Sequence, residues 1–151
     1  MCGFINEMFY NTDFLTDGEI RLLLEKAQEA DPAKGWVTQY HFGILRSDDV
    51  KVGVCSLRAG HNENTYYIGN IAYGVYEPFR GHHYAGKACL LLLNLAKKLD
   101  MGYVIITCSP DNDPSRRTCE YAGGHLEAVF TLPSNLQWDD NKTKCRYRIE
   151  L

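Results

Sequence analysis

"RGHHYAGKACLLL", residues 80–92, decides how the rest of the chain is read. Begun at Gly81 it spells G-x-x-x-x-G-K-A, one residue away from the G-x-x-x-x-G-K-[ST] loop that cradles nucleotide phosphates. Begun at Arg80 it spells R-x-x-H-x-A and opens a long apolar helix. Both readings use the same physics: the first amides of a helix lack partners within it, and the helix dipole favours an anion there. They differ in what else they need. A nucleotide loop needs a hydroxyl after the lysine to hold magnesium, and Ala88 stands there. It also follows directly on a buried strand, and here Glu77-Pro78-Phe79 intervenes.

Working outward, the helix is expected over 84–99, with Gly102 as its end signal. Its run Leu90–Leu93 is too wide an apolar stripe for a surface helix, so most of its circumference should be covered. "YVIITCS", residues 103–109, reads as a strand buried on both faces. In "DNDPSRRTCEYAGG", Asp113 caps a short helix, Pro114 fills its first turn and Gly123 ends it. Strands follow at 126–132 and 145–151. Before the loop, 36–45 and 51–58 read as strands joined by a turn at Asp48-Asp49. Residues 59–64 read as a loop, and 66–76 as a third strand with Gly69 and Gly74 inside it. At 16–30, Thr16 or Asp17 caps a helix carrying Ile20, Leu23, Leu24 and Ala27, stopped by Asp31-Pro32. The order gives a mixed α/β, or α+β, sheet with a parallel crossover between the third and fourth strands.

A chain of 151 residues suits a single domain, 1–151, with one sizeable core. A net charge of −3 gives no electrostatic footprint for nucleic acid. The longest apolar run, Ala88–Leu93, is far too short to span a bilayer, and no opening segment pairs basic residues with an apolar run. A cytoplasmic protein with no membrane or nucleic-acid partner is expected. The six cysteines (2, 55, 89, 108, 119, 145) form no C-x-x-C pair and are expected as reduced thiols. His82, His83 and His125 offer nitrogens but no structural-zinc spacing, so no metal is assigned.

Residues 69–124, from "GNIAYGVYEPFRG" through the loop, the apolar helix and "YVIITCSPDNDPS" to Gly124, resemble the core of the GNAT superfamily of N-acetyltransferases. The resemblance implies a mostly antiparallel central sheet, splayed between two parallel central strands and flanked by helices. It implies acetyl-CoA or a related acyl-CoA as co-substrate and a primary amine, on a small molecule or peptide, as acceptor. Transfer would be direct, without a covalent acyl-enzyme. The backbone of Val75 and Tyr76 would run beside the pantetheine arm, helped by a bulge at Gly74. Arg80, Gly81, His82, His83, Tyr84, Ala85 and Gly86 would wrap the pyrophosphate. Asn112 and Ser115 would contact the far side of the arm. Two positions depart from the family pattern. His83 stands where the loop usually has glycine, and Cys119 stands seven residues after Asn112, where many members carry a tyrosine that protonates the departing thiolate. Cys119 is therefore either that acid or a small buried residue filling space. The alternative to an enzyme is a non-catalytic sensor or interaction module that binds acyl-CoA.

Other candidates are weaker. No general base is identified: Glu63 or Glu77 could reach an amine through water or be simply solvated, as loop carboxylates usually are, while His41 and His61 have no evident partner. Arg116 is expected to bridge to Glu120 at i,i+4; Arg117 divides evenly between a cofactor phosphate and solvent. Tyr121 is expected as packing, and Trp36, Tyr40 and Trp138 as core or rim aromatics. The helix at 16–30 and the loops at 59–64 and 133–142 should border the acceptor, their acidic and amide side chains suiting a cationic amine. The edge strand 145–151 would be free to pair with a second copy in a homodimer.

Overall fold

The computed structural model describes residues 9–137 and 140–151. Trp138 therefore lies outside the described residues. Helix α2, Tyr84–Lys98, is the pivot of the architecture. Its buried residues run all round it, and Leu90 is its one large apolar side chain left exposed. The width of the apolar stripe is thus met by cover on most sides: strands pack along one flank and a second helix meets its first turn.

Four antiparallel strands form the first sheet in the order β1 (Ile20–Gln28), β2 (Gln39–Arg46), β3 (Lys51–Arg58) and β4 (Ile71–Val75). Strand β5 (Tyr103–Cys108) and strands β6 (His125–Thr131) and β7 (Thr143–Glu150) form a second sheet in the order β5-β7-β6. Helix α1 (Glu63–Ile68) precedes β4, and helix α3 (Asp113–Tyr121) follows β5. The expected crossover from β4 to β5 through α2 is present, and the two strands splay instead of forming a ladder.

One side chain holds the base of the splay. Asn70 is fully buried; its Oδ1 accepts from Ile105 N at 2.8 Å, and its Nδ2 donates to Arg58 O at 3.0 Å and Gly60 O at 2.8 Å. Its own N–H donates to Ile105 O at 2.6 Å. A buried amide of this kind is tolerated because every donor and acceptor is matched. Above this joint nothing pairs β4 with β5, and the gap opens.

Four expectations are corrected. Residues 20–28 form a strand, not a helix. Ile20, Leu22 and Leu24 alternate onto the α2 face, while a bulge between Leu24 and Lys26 displaces Glu25. A short apolar run fits both periods, and pairing with β2 decides between them. The cap signal is real but local: Asp17 Oδ1 accepts from Glu19 N and Ile20 N at 2.9 Å, an Asx turn leading into a strand. Residues 63–68 are helical because Asn62 and Thr65 form a reciprocal capping box, and Gly69, at φ 84°, turns the chain out of it. The third strand therefore begins only at Ile71. No bulge occurs at Gly74, which pairs with Val54 in unbroken register. Finally, β7 is the central strand of its sheet, so 145–151 offers no free edge; β6 is at the edge instead.

Candidate functional site

The loop from β4 into α2 is built by its backbone. A short turn at Glu77–Phe79 brings the chain round, and Gly81 adopts φ 91° with open space where a Cβ would stand. His83 is the N-cap of α2 and sits at φ 61°, the left-handed region that favours glycine. A glycine, as the resemblance leads one to expect there, would take this conformation without strain. His83 offsets the strain by stacking on Tyr121, ring centroids 5.5 Å apart and planes 12° apart. Tyr121 in turn lies over Gly86, where a Cβ would come within 2.4 Å of Cδ1. Gly86 is needed for close packing of α3's last residue against α2's first turn. The first helical bond is donated by Lys87 N to His83 O, so the amides of Tyr84, Ala85 and Gly86 point out of the helix end.

Two side chains of the motif are already engaged. Arg80 Nε donates to Val75 O at 3.1 Å, closing the end of β4 against the loop. Lys87 pairs with Glu19, away from the loop. The lysine of the nucleotide-loop reading is thus an ion-pair partner of the β1 entry turn.

Across the splay, α3 is capped by Asn112, not by Asp113: Asn112 Oδ1 accepts from Ser115 N at 3.2 Å. Ser115 Oγ lies 2.6 Å from the Tyr73 hydroxyl, a contact that spans the gap from β4 to α3. Cys119 shares that helical face, as its spacing from Ser115 requires, and is fully buried beside Cys108 and Tyr73. Its thiol is pushed far up by the hydrogen bond with Cys108 and by burial. Burial and the neighbouring Cys119 likewise push the Tyr73 phenol up. Both groups hold their protons at neutral pH.

The remaining candidates fall to structural roles. Arg116 does not reach Glu120; it donates to the Tyr147 hydroxyl at 3.0 Å and to Pro110 O at 3.2 Å. Arg117, Glu63 and Glu77 are exposed. His61 does have partners: it stacks on Tyr103 at 4.0 Å and meets Met101 O through Nε2 at 3.0 Å. Tyr40 is core, and Trp36 is a half-covered rim residue under Lys34.

Most of the groups not read from the sequence line two openings at the splay and on the first sheet. A pocket of about 230 Å³ opens at the splay, with Arg58 from the first sheet and Lys144 from the second. Tyr67, Tyr73, Thr107 and Ser115 supply its hydroxyls. A groove of about 440 Å³ crosses the open face of the first sheet from Glu25 and His41 past Val54 to Gly74, and shares Ala72 and Tyr73 with that pocket. His41 is held below its usual pKa by burial, then by Lys26 and Arg58, so it is neutral at pH 7. Only the glycine and alanine of "IAYGV" hint in the sequence at a low floor here. The cations come from segments too far apart to form a motif.

The GNAT acetyltransferase domain model matches residues 6–125, and the chain belongs to that family. An uncharacterised N-acetyltransferase of Bacillus subtilis, YnaD, is 31% identical over 101 residues, which cover 64% of this chain and 57% of YnaD. This chain thus spans little more than half the length of that relative. Two solved structures share the fold. RimL, a ribosomal L7/L12 alpha-N-protein acetyltransferase in complex with coenzyme A, is 21% identical with a TM-score of 0.60, covering 79% of this chain and 64% of RimL. MccE, a microcin C7 self-immunity acetyltransferase in complex with acetyl-CoA and AMP, is 19% identical with a TM-score of 0.60, covering 75% and 61%. Among the described residues no three His, Cys, Asp or Glu side chains gather to hold a metal, and no helix is long and apolar enough to cross a membrane.

Proposed function

We propose that this protein is an acetyl-CoA-dependent N-acetyltransferase that moves the acetyl group directly from the thioester to a primary amine. The observation that carries this reading is the open splay between β4 and β5, with the outward amides of α2 at one mouth and a polar pocket at the other. Complexes of RimL and MccE with coenzyme A or acetyl-CoA support it from within the same fold.

In this reading the amides of Gly81 through Gly86 hold the pyrophosphate and Arg80 keeps the loop closed on β4. The backbone of Val75 and Tyr76 lines the pantetheine arm on one side, while Asn112 and Ser115 line it on the other. A β4 amide near Val75 stabilises the tetrahedral oxyanion; the Tyr76 amide is already donated to Val52 O at 2.9 Å. The ammonium of the acceptor loses its proton through water to bulk solvent, and its nitrogen attacks the carbonyl. As the C–S bond breaks, the second proton of the attacking nitrogen passes through the Tyr73–Ser115 hydroxyl pair, which borders the pocket, to the thiolate, so that the pair ends as it began. Cys119, the residue at the family's acid position, is sealed behind that pair and fills space.

Calorimetric titration with acetyl-CoA tests the reading, with ATP plus magnesium as control. Binding should weaken in Arg80→Ala and Asn112→Ala, and release of CoA should rise when an amine acceptor is added. Binding with flat CoA release across an amine panel would make the chain a sensor, and the absence of acetyl-CoA binding would sink the proposal.

A further inference from the structure

The pocket at the splay has an unusual balance of charge. Arg58 and Lys144 enter it from opposite sheets, and none of its lining residues is acidic. Among the described residues no carboxylate pairs with either cation. Arg58 Nη1 donates to Gly69 O at 3.2 Å, one bond for a group with five N–H donors. Three other basic residues of the first sheet are paired: Arg21 with Asp49, Arg46 with Asp48, Lys51 with Glu25. Two half-buried cations facing one polar pocket, without a counter-ion among the described residues, suit an anion, since a buried charge is stable only when matched. The local positive field is felt beyond the pocket, because Arg58 also disfavours protonation of His41.

A planar guanidinium and an ammonium converging with hydroxyls fit a carboxylate. The volume of about 230 Å³ is below the range of about 300–1,000 Å³ typical of drug-sized ligands. We infer that the acceptor is an α-amino acid or a close analogue: its carboxylate sits between Arg58 and Lys144, its amine at the Ala72–Tyr73 edge shared with the open-face groove, and its side chain in that groove over Val54 and Gly74. This rests on the acetyltransferase reading above and names its substrate class. The net reaction converts acetyl-CoA and the neutral amine to the N-acetyl amino acid and CoA: the C–S bond breaks, a C–N bond forms, and the amine's proton ends on the thiolate by way of hydroxyls and water. The cationic acceptor expected from the loop composition is thereby replaced by one carrying a negative charge beside its amine.

The experiment compares acetyl-CoA turnover by the full chain on matched pairs, leucine against 3-methylbutylamine and phenylalanine against phenethylamine, with rates referred to the unprotonated amine. A third arm offers succinyl-CoA with the two simple amines, because the carboxylate could instead belong to the acyl group. We expect the amino acids to exceed their decarboxylated partners in kcat/KM by about ten- to a hundredfold, the range for a hydrogen bond to a charged group. Arg58→Gln should abolish that preference through KM while acetyl-CoA affinity stays unchanged. Arg58→Lys should restore part of it, and Lys144→Gln should reduce it without disturbing β3. Equal or better turnover of the simple amines, activity only with succinyl-CoA, or no turnover of any amino acid while acetyl-CoA binds would overturn the inference and leave the cofactor reading standing. Failure to bind acetyl-CoA would remove both.

Discussion

The two mouths of the splay are built in opposite ways. On the α2 side the groups proposed to hold the cofactor are backbone amides, placed by one continuous loop of eight residues and by conformations at Gly81, His83 and Gly86. On the open side they are the side chains of Arg58, Lys144, Tyr67, Thr107 and Tyr73, brought together from β3, β7, α1, β5 and β4. A mouth made of main chain, on the proposed reading, would recognise what every acyl-CoA shares and tolerate sequence change. A mouth made of scattered side chains can discriminate among acceptors and is remade by single substitutions. The two meet at Asn70, which holds the sheets together where the splay begins.

The largest effect should follow from removing that joint. Asn70→Ala leaves Ile105 N and the carbonyls of Arg58 and Gly60 without their partner, and should cost about 3 kcal/mol in denaturant unfolding. If stability is unchanged, water replaces the amide and the two mouths are not mechanically linked there. Next in size, Gly86→Val drives a side chain into Tyr121 and should weaken acetyl-CoA binding about tenfold, while the acceptor preference of the remaining activity is unaltered. A change in that preference would show that the mouths are not separable. His83→Gly relieves a left-handed residue and should gain about 1 kcal/mol, read as a raised Tm, less what the Tyr121 stack contributes.

Gly74→Val sharpens the contrast from the other side. Its Cβ meets nothing within 4 Å, so stability should shift by only a few tenths of a kcal/mol. The new side chain projects into the groove proposed to take the acceptor, so the KM for amine should rise with acetyl-CoA affinity constant. The smallest effect concerns pH. His41 titrates in the folded protein below its unfolded value of 6.5, held there by burial, Lys26 and Arg58. Below about pH 6.5 the unfolded chain therefore binds the proton first, and stability falls as pH falls through that window. His41→Gln should flatten this limb of the stability profile; an unchanged slope would assign it to other groups, of which Glu25 in the same groove is the nearest to test.

The α2 side was legible because its chemistry is contiguous. The Arg80-to-Gly86 loop, the over-wide apolar helix and the Asn-Asp-Pro-Ser opening of α3 each announce themselves within a short window, and their order points to the GNAT family that the domain model confirms. Where local signals were ambiguous, the tertiary structure chose. "IRLLLEKAQ" satisfies both helical and strand spacing, and the ladder with β2 makes it a strand. Asn62 and Thr65 form a capping box that a run of tyrosines disguised as a strand. Strand β7 ends the chain yet inserts between β5 and β6, a placement no local pattern specifies.

The sequence by itself therefore determined the helix start with its outward amides, the buried crossover helix and the family, because helix dipoles, glycine conformations and apolar width act over a few residues. Only the tertiary structure decided the splay, the Asn70 joint, the Tyr73–Ser115 contact and the convergence of Arg58 with Lys144. Those depend on which strands become neighbours, and a charge acquires its partner, or is left without one, only when distant segments meet in a medium too poor in water to screen it.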